Sequence, residues 1–192
     1  NFSAKTIRDE FNLHNKTIVL FMGAPKKHKG ILELTKVFNE LEKTNPELHL
    51  LIVGADKSNP ITKELKSSNN ITVEGLRDHK EMPLFLKAVD IVCVPHRNTK
   101  SANAQLPIKI FEPMAMEKPV ITTDTTDMKE IFENCGIVIE PDNIEQLKQA
   151  ILNYTNNKEL RIKHGKQARQ ECLKKYDWKI MKKKTEEVYQ SL

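Results

Sequence analysis

The sequence predicts an α/β domain built on a doubly wound, parallel, six-stranded Rossmann-like sheet with extra C-terminal helices, and three observations carry that prediction. Apolar runs of strand length alternate with segments of helical period along the chain. Four successive strand–helix units demand crossover connections, and hence parallel strands. No internal repeat, low-complexity tract or linker interrupts the alternation, and 192 residues suit one domain.

The elements follow in order. Residues 18–22 read as the first strand, and 30–43 as a helix with Ile31, Leu32, Leu34, Val37, Phe38 and Leu41 inward. Asn45-Pro46 punctuates before a second strand at 48–53, which Gly54 ends. A helix at 61–66, a strand at 71–74, a helix at 81–87 and a strand at 91–94 complete the fourth unit. A polar loop from His96 to Gln105 then leads to a short helix opened by Pro107, where a missing N–H suits a first helical turn. Strands at 119–123 and 136–139 flank a short helix at 128–132, and three helices finish the chain.

Composition narrows the function classes. The net charge of +5 could serve nucleic acid, anionic lipid or phosphorylated ligands. No aromatic-interleaved basic strand or nucleic-acid motif is present, so a nucleic-acid partner is not expected. No apolar run reaches membrane length and residues 1–5 carry no signal pattern, which gives a cytoplasmic expectation. Cys93, Cys135 and Cys172 are widely spaced and lack a C-x-x-C pair, so they read as reduced core residues, and no metal site is expected. Lys174, Lys175, Lys179, Lys182, Lys183 and Lys184 share the C-terminal segment with Trp178, Ile180, Met181, Val188 and Tyr189. That pattern suits a solvated helix face, or a membrane-surface or partner-docking helix.

Ligands of open parallel sheets sit beyond the carboxyl ends of the strands, where strand order reverses. In a 3-2-1-4-5-6 order that crevice lies between strands one and four, under the loops Gly23–Gly30 and Pro95–Leu106. The first loop is neither a G-x-G-x-x-G fingerprint nor a Walker A loop. Its Gly23, Lys26, Lys27 and Lys29 still favour phosphate, although the run also suits an exposed basic turn. In the second, the helix start offers free N–H groups near Pro107 and Ile108, and Lys109 and Glu112 stand one turn apart, facing a ligand together or forming a surface ion pair.

Across nearly its whole length the chain resembles the carboxyl-terminal, nucleotide-sugar-binding domain of GT-B retaining glycosyltransferases, the "group 1" enzymes of glycosyltransferase family 4. The ordered markers are Phe21-Met22-Gly23 with Lys29-Gly30, Leu51-Ile52-Val53-Gly54, Ile71-Thr72-Val73-Glu74-Gly75 and Asp90-Ile91-Val92-Cys93-Val94-Pro95. They continue with Pro107-Ile108-Lys109-Ile110-Phe111-Glu112-Pro113-Met114-Ala115, Lys118-Pro119-Val120-Ile121, Gly136-Ile137-Val138-Ile139 and Tyr176-Asp177-Trp178.

The resemblance implies roles by position. Lys29 would bind the donor diphosphate, Glu112 the ribose hydroxyls, and amides near Pro107 and Ile108 the phosphate. Gly75, Leu76 and Arg77 would approach the base, and His96 could face the donor, although Arg77 and His96 also suit solvated loop positions. A nucleotide-diphosphate sugar would be the substrate, a glycan, lipid-linked or small molecule the acceptor, and no metal or other cofactor would be required. Residues 1–15 would be an interdomain connector, 16–175 the donor domain, and 176–192 a helix returning to an acceptor domain absent from this chain. A piece of this kind would bind donor without efficient transfer, in the cytoplasm or peripherally at the inner face of the membrane.

The departures from the family pattern leave room for a nonenzymatic module or a GT-B epimerase. Ala104 stands where many relatives carry the first glutamate of E-x7-E, so Asn103 or Gln105 would supply hydrogen bonds there and Lys109 would take a larger role. Ala24 replaces a frequent arginine, Glu117 a frequent glycine, and Thr126-Asp127 a common glycine pair.

Overall fold

The computed structural model describes residues 4–56, 58–65 and 68–191. A first helix, α1 (Ala4–Glu10), precedes β1 (Thr17–Met22), α2 (Ile31–Leu41), β2 (Leu48–Val53), α3 (Pro60–Glu64) and β3 (Ile71–Glu74). Then come α4 (Met82–Ala88), β4 (Ile91–Val94), α5 (Lys100–Asn103), α6 (Phe111–Ala115), β5 (Val120–Thr123), α7 (Met128–Ile131) and β6 (Gly136–Ile139). The chain ends with α8 (Ile144–Asn156), α9 (Lys158–Glu171), a five-residue π-helical turn (Cys172–Tyr176) and α10 (Trp178–Gln190).

The six strands form one sheet in the order β3-β2-β1-β4-β5-β6, and every pairing is parallel. This is the doubly wound arrangement the alternating pattern predicts, with order reversing between β1 and β4. Side chains alternate across the sheet and build two cores. Ile18, Leu20 and Met22 of β1 join Phe85, Met114, Ile131 and Ala168 on one face. Val19 and Phe21 join Leu34, Phe38, Leu147, Ile151 and Tyr154 on the other. Burial on both faces explains why these strands read as apolar runs.

At the amino ends of the strands, α1 is stitched to the sheet. Ile7 and Leu13 are buried, and Arg8 donates from Nε to Ala88 O (2.8 Å) and from Nη1 to Leu13 O and Lys16 O (3.0 Å each). Its Nη2 reaches Asp90 Oδ2 at 2.8 Å, and the same carboxylate oxygen accepts the Ile18 N–H. Asp90 thus joins α1 to the starts of both central strands.

Several local expectations are corrected. The loop from His96 to Gln105 contains a turn of helix, α5, whose N-cap Thr99 accepts from Ala102 N at 3.1 Å. Pro107 does not occupy a first helical turn; with ψ of 95° it stands just before a 3₁₀ turn, Ile108–Ile110. A tighter 3₁₀ start is a frequent entry to a short α-helix, and here it moves the first helical residue to Ile108. Residue 30 caps the helix at 31–41 rather than belonging to it. Lys66, the expected end of the helix at 61–66, lies outside the described residues, as do residues 1–3 and Leu192.

Cys93, Cys135 and Cys172 are buried and free. Among the described residues no helix is long and apolar enough to cross a membrane. Helix α10 buries none of its side chains, and Trp178 is 88% exposed. Glu117 and Thr126, two of the departures from glycine, adopt φ of 57° and 51°, in the left-handed region where glycine is least strained.

Candidate functional site

The loops after β1 and β4 meet beyond the carboxyl ends of the central strands. Gly30, at φ 68°, makes the meeting possible: a Cβ placed there would lie 1.8 Å from the Pro95 carbonyl oxygen. Arg97 N donates to His28 O at 2.9 Å, bonding the loops backbone to backbone. Arg97 Nε reaches Asp142 Oδ1 at 2.6 Å and Glu33 at 3.4 Å, anchoring the same loop to the turn before α8.

Between these loops is a cavity of about 260 Å³, lined by His28, Lys29, His96, Ser101, Ala102, Gln105, Leu106, Pro107, Ile108 and Lys109. Its lining holds two lysines and two histidines and no carboxylate. Such a set attracts an anion, and a partly enclosed setting strengthens the attraction over that in water.

The two lysines flank Gly23. Lys29 Nζ donates to Ala24 O at 2.9 Å, and Lys109 Nζ donates to Met22 O at 3.0 Å. Lys109 also stands 4.9 Å over the Phe21 ring. Gly23 has φ of 103°, and a Cβ there would lie 3.8 Å from the Lys29 ammonium. Burial, then Lys29, pushes the Lys109 pKa down to about 7, while burial and Lys26 lower that of Lys29.

His96 is fixed by its backbone. Its N–H donates to Val94 O at 3.0 Å and its carbonyl accepts from Thr123 Oγ1 at 2.7 Å. Its ring lies edge-on to that of His28, with centroids 6.3 Å apart. Only 7% of the residue is exposed, and neither Nδ1 nor Nε2 has a hydrogen-bond partner. Burial, with Lys109, His28 and Lys29 around it, lowers its pKa to about 4, so the ring is uncharged at neutral pH.

The structure brings Lys29, His96, Gln105, Pro107, Ile108 and Lys109 together in this lining, with Gly23 beneath. Pro107 has no N–H, so any amide cradle begins at Ile108. Lys26 and Lys27 are exposed and outside this lining, and Asn103 turns to Asn98, its Nδ2 donating at 2.9 Å.

Lys109 and Glu112 do not converge, nor do they pair. Lys109 points under the loop to Met22, whereas the Glu112 carboxylate is 2.8 Å from His79 Nε2. Passing from the 3₁₀ turn into α6 between them separates the two side chains. Beyond β3, Arg77 is engaged by Glu10, by Glu74 at 2.9 Å and by Glu81 at 3.6 Å, and packs over Phe85. Gly75 O accepts from Gly54 N, and Leu76 is exposed.

Sequence reasoning did not single out His28 or Arg97. The place of His28 between two lysines of the first loop was the available signal; Arg97 acts through Asp142, which is 45 residues away in sequence. Among the described residues, no group of three or more His, Cys, Asp or Glu is arranged to hold a metal ion.

The comparisons agree with this architecture. The chain is 23% identical over 168 residues to an alpha-D-kanosaminyltransferase of Streptomyces kanamyceticus, covering 84% of the chain and 42% of that protein. It is 26% identical over 197 residues to spore coat protein SA of Bacillus subtilis, covering 96% and 51%. The chain thus spans about half the length of these curated relatives. In fold it matches the crystal structure of Anabaena HepE in complex with UDP at a TM-score of 0.84 and 18% identity, covering 98% of this chain and 52% of that one. It also matches the C-terminal domain of a Francisella tularensis glycosyl transferase group 1 protein, with a TM-score of 0.71, 22% identity and coverage of 85% and 87%. The sequence profile of the glycosyl transferases group 1 matches residues 3–171, and the chain belongs to that family.

Proposed function

We propose that this chain is the donor-binding domain of a retaining, GT-B glycosyltransferase of family 4 and that the cavity between the β1 and β4 loops takes the diphosphate and sugar of a nucleotide-sugar donor. The observation that carries the reading is the lining itself: Lys29, Lys109, His28 and His96 converge with no carboxylate among them. In this role Lys29 meets the diphosphate and stabilises charge developing on the departing nucleoside diphosphate, without requiring a metal. The N–H groups at Ile108 and Lys109 supplement it. Glu112 accepts from the ribose hydroxyls after exchanging its contact with His79, and the turn at Gly75 and Leu76 borders the base. Arg77, held by three carboxylates, shapes that turn instead of reaching the ligand.

The acceptor, a glycan or lipid-linked molecule, would be presented by a second domain, which the half-length match to relatives leaves room for. The exposed face of α10 would return to that domain, and this chain alone would bind donor without transferring it efficiently. Ala104, exposed and without a polar side chain, favours a second reading as a nucleotide-binding module that performs no transfer.

Calorimetric titration with UDP, GDP, ADP and their glucose conjugates tests the reading. Saturable binding of one nucleotide, weakened about tenfold or more by Lys29→Ala and by Glu112→Ala, is the expected result. Absence of binding by the folded chain would sink it. The metal-free prediction is checked by repeating the titration in EDTA.

A further inference from the structure

An uncharged imidazole offers one N–H and one lone pair. In His96 both are buried and meet no polar atom of the protein, which leaves a donor and an acceptor for a ligand group. The backbone of the residue is fixed by its bonds to Val94 and Thr123. The ring lines the cavity beside Lys29 and Lys109, with His28 edge-on against it.

We propose that His96 is a specificity-determining residue of the donor site, whose ring hydrogen-bonds a hydroxyl group of the transferred sugar. The assignment rests on the donor-domain reading and deepens it. Phosphate oxygens accept and do not donate, and in the proposed reading Lys29 of the same lining meets them. A further positive charge, buried beside Lys29, Lys109 and His28, is disfavoured, so His96 contributes hydrogen bonding in place of charge. A hydroxyl donates and accepts, and therefore satisfies the imidazole in either tautomer. The ring nitrogens are shielded by protein atoms, so contact with a hydroxyl requires the side chains around them to shift.

The test compares UDP with UDP-glucose, or the corresponding GDP or ADP pair if that nucleotide binds best, on the wild-type chain and on His96→Ala and His96→Gln. His96→Ala is expected to weaken the sugar conjugate about fivefold, one net hydrogen bond, and to leave the nucleoside diphosphate within about twofold. His96→Gln, whose amide also donates and accepts, restores most of the loss. In parallel, the His96 ring ¹⁵N resonances shift on adding the sugar conjugate and not on adding the nucleoside diphosphate. Circular dichroism establishes that each variant is folded. Equal weakening of both ligands, or of neither, overturns the His96 assignment while leaving the donor-domain reading in place. Failure of the wild-type chain to bind either ligand overturns that reading, and the assignment with it.

Discussion

At the scale of single residues, Lys109 makes a pH prediction whose sign is fixed by its surroundings. Its ammonium is lowered from 10.5 to about 7, first by burial and then by Lys29. Across that window the unfolded chain holds a proton that the folded chain releases, so this residue's contribution to stability rises with pH and is least favourable below pH 7. Lys109→Met removes the titration. The wild-type stability relative to the variant should therefore climb through the window, as read by urea unfolding at successive pH values. A diphosphate beside Lys109 reverses the shift, so donor binding near about pH 8 should take up protons, visible as a buffer-dependent enthalpy. Glu117 makes a simpler prediction. Its φ of 57° carries a left-handed cost that glycine lacks, partly offset by glycine's greater unfolded freedom. Glu117→Gly should stabilise by about 0.5–1 kcal/mol in thermal unfolding. The residues of the candidate site were partly legible: Lys29 and Lys109, singled out by type and position, both line the cavity. That Lys109 and Glu112 part company was not legible, because a 3₁₀ turn and an α-helix give the same three-residue spacing different directions.

Among the elements, the loop junction at Gly30 makes the sharpest prediction. Gly30→Ala would force a Cβ against the Pro95 carbonyl at a left-handed φ, and should cost at least about 2 kcal/mol in denaturant unfolding while separating the two walls of the cavity. Gly75→Ala is the control: a Cβ there meets nothing within 4 Å, so the change should fall within about 0.5 kcal/mol. A large loss at Gly75 would contradict this account. The strands were the most legible elements: β2, β3, β4 and β6 fall at their expected bounds because each is a short, largely apolar run closed by a glycine, proline or charged residue. Helix α5 was hidden, since one turn capped by Thr99 has too few residues for a period to show. The π-helical turn at Cys172–Tyr176 was hidden too, because its contacts are with Phe111 of α6, far away in sequence: Cys172 Sγ lies 3.7 Å from the Phe111 carbonyl oxygen and the Tyr176 ring 4.8 Å from the Phe111 ring.

For the whole molecule, the two cores lie against the sheet and α10 stands apart from both. With no side chain of α10 buried, removing residues 178–191 should lower the unfolding free energy by less than about 1 kcal/mol, and a larger fall in a thermal scan would show hidden packing. Sheet order, and the meeting of the β1 and β4 loops over a cavity, were legible, because topology rules leave few ways to wind these elements. The union of α1 with the sheet was not, since nothing local to Arg8 foretells a partner 82 residues away. That union has a mechanical meaning. Arg8 and Asp90 clamp α1 to the starts of the two central strands, so a torque applied along α1 enters the sheet at its middle instead of peeling an edge. The helix is thereby coupled to the middle of the sheet, with Ile7 buried beside the clamp.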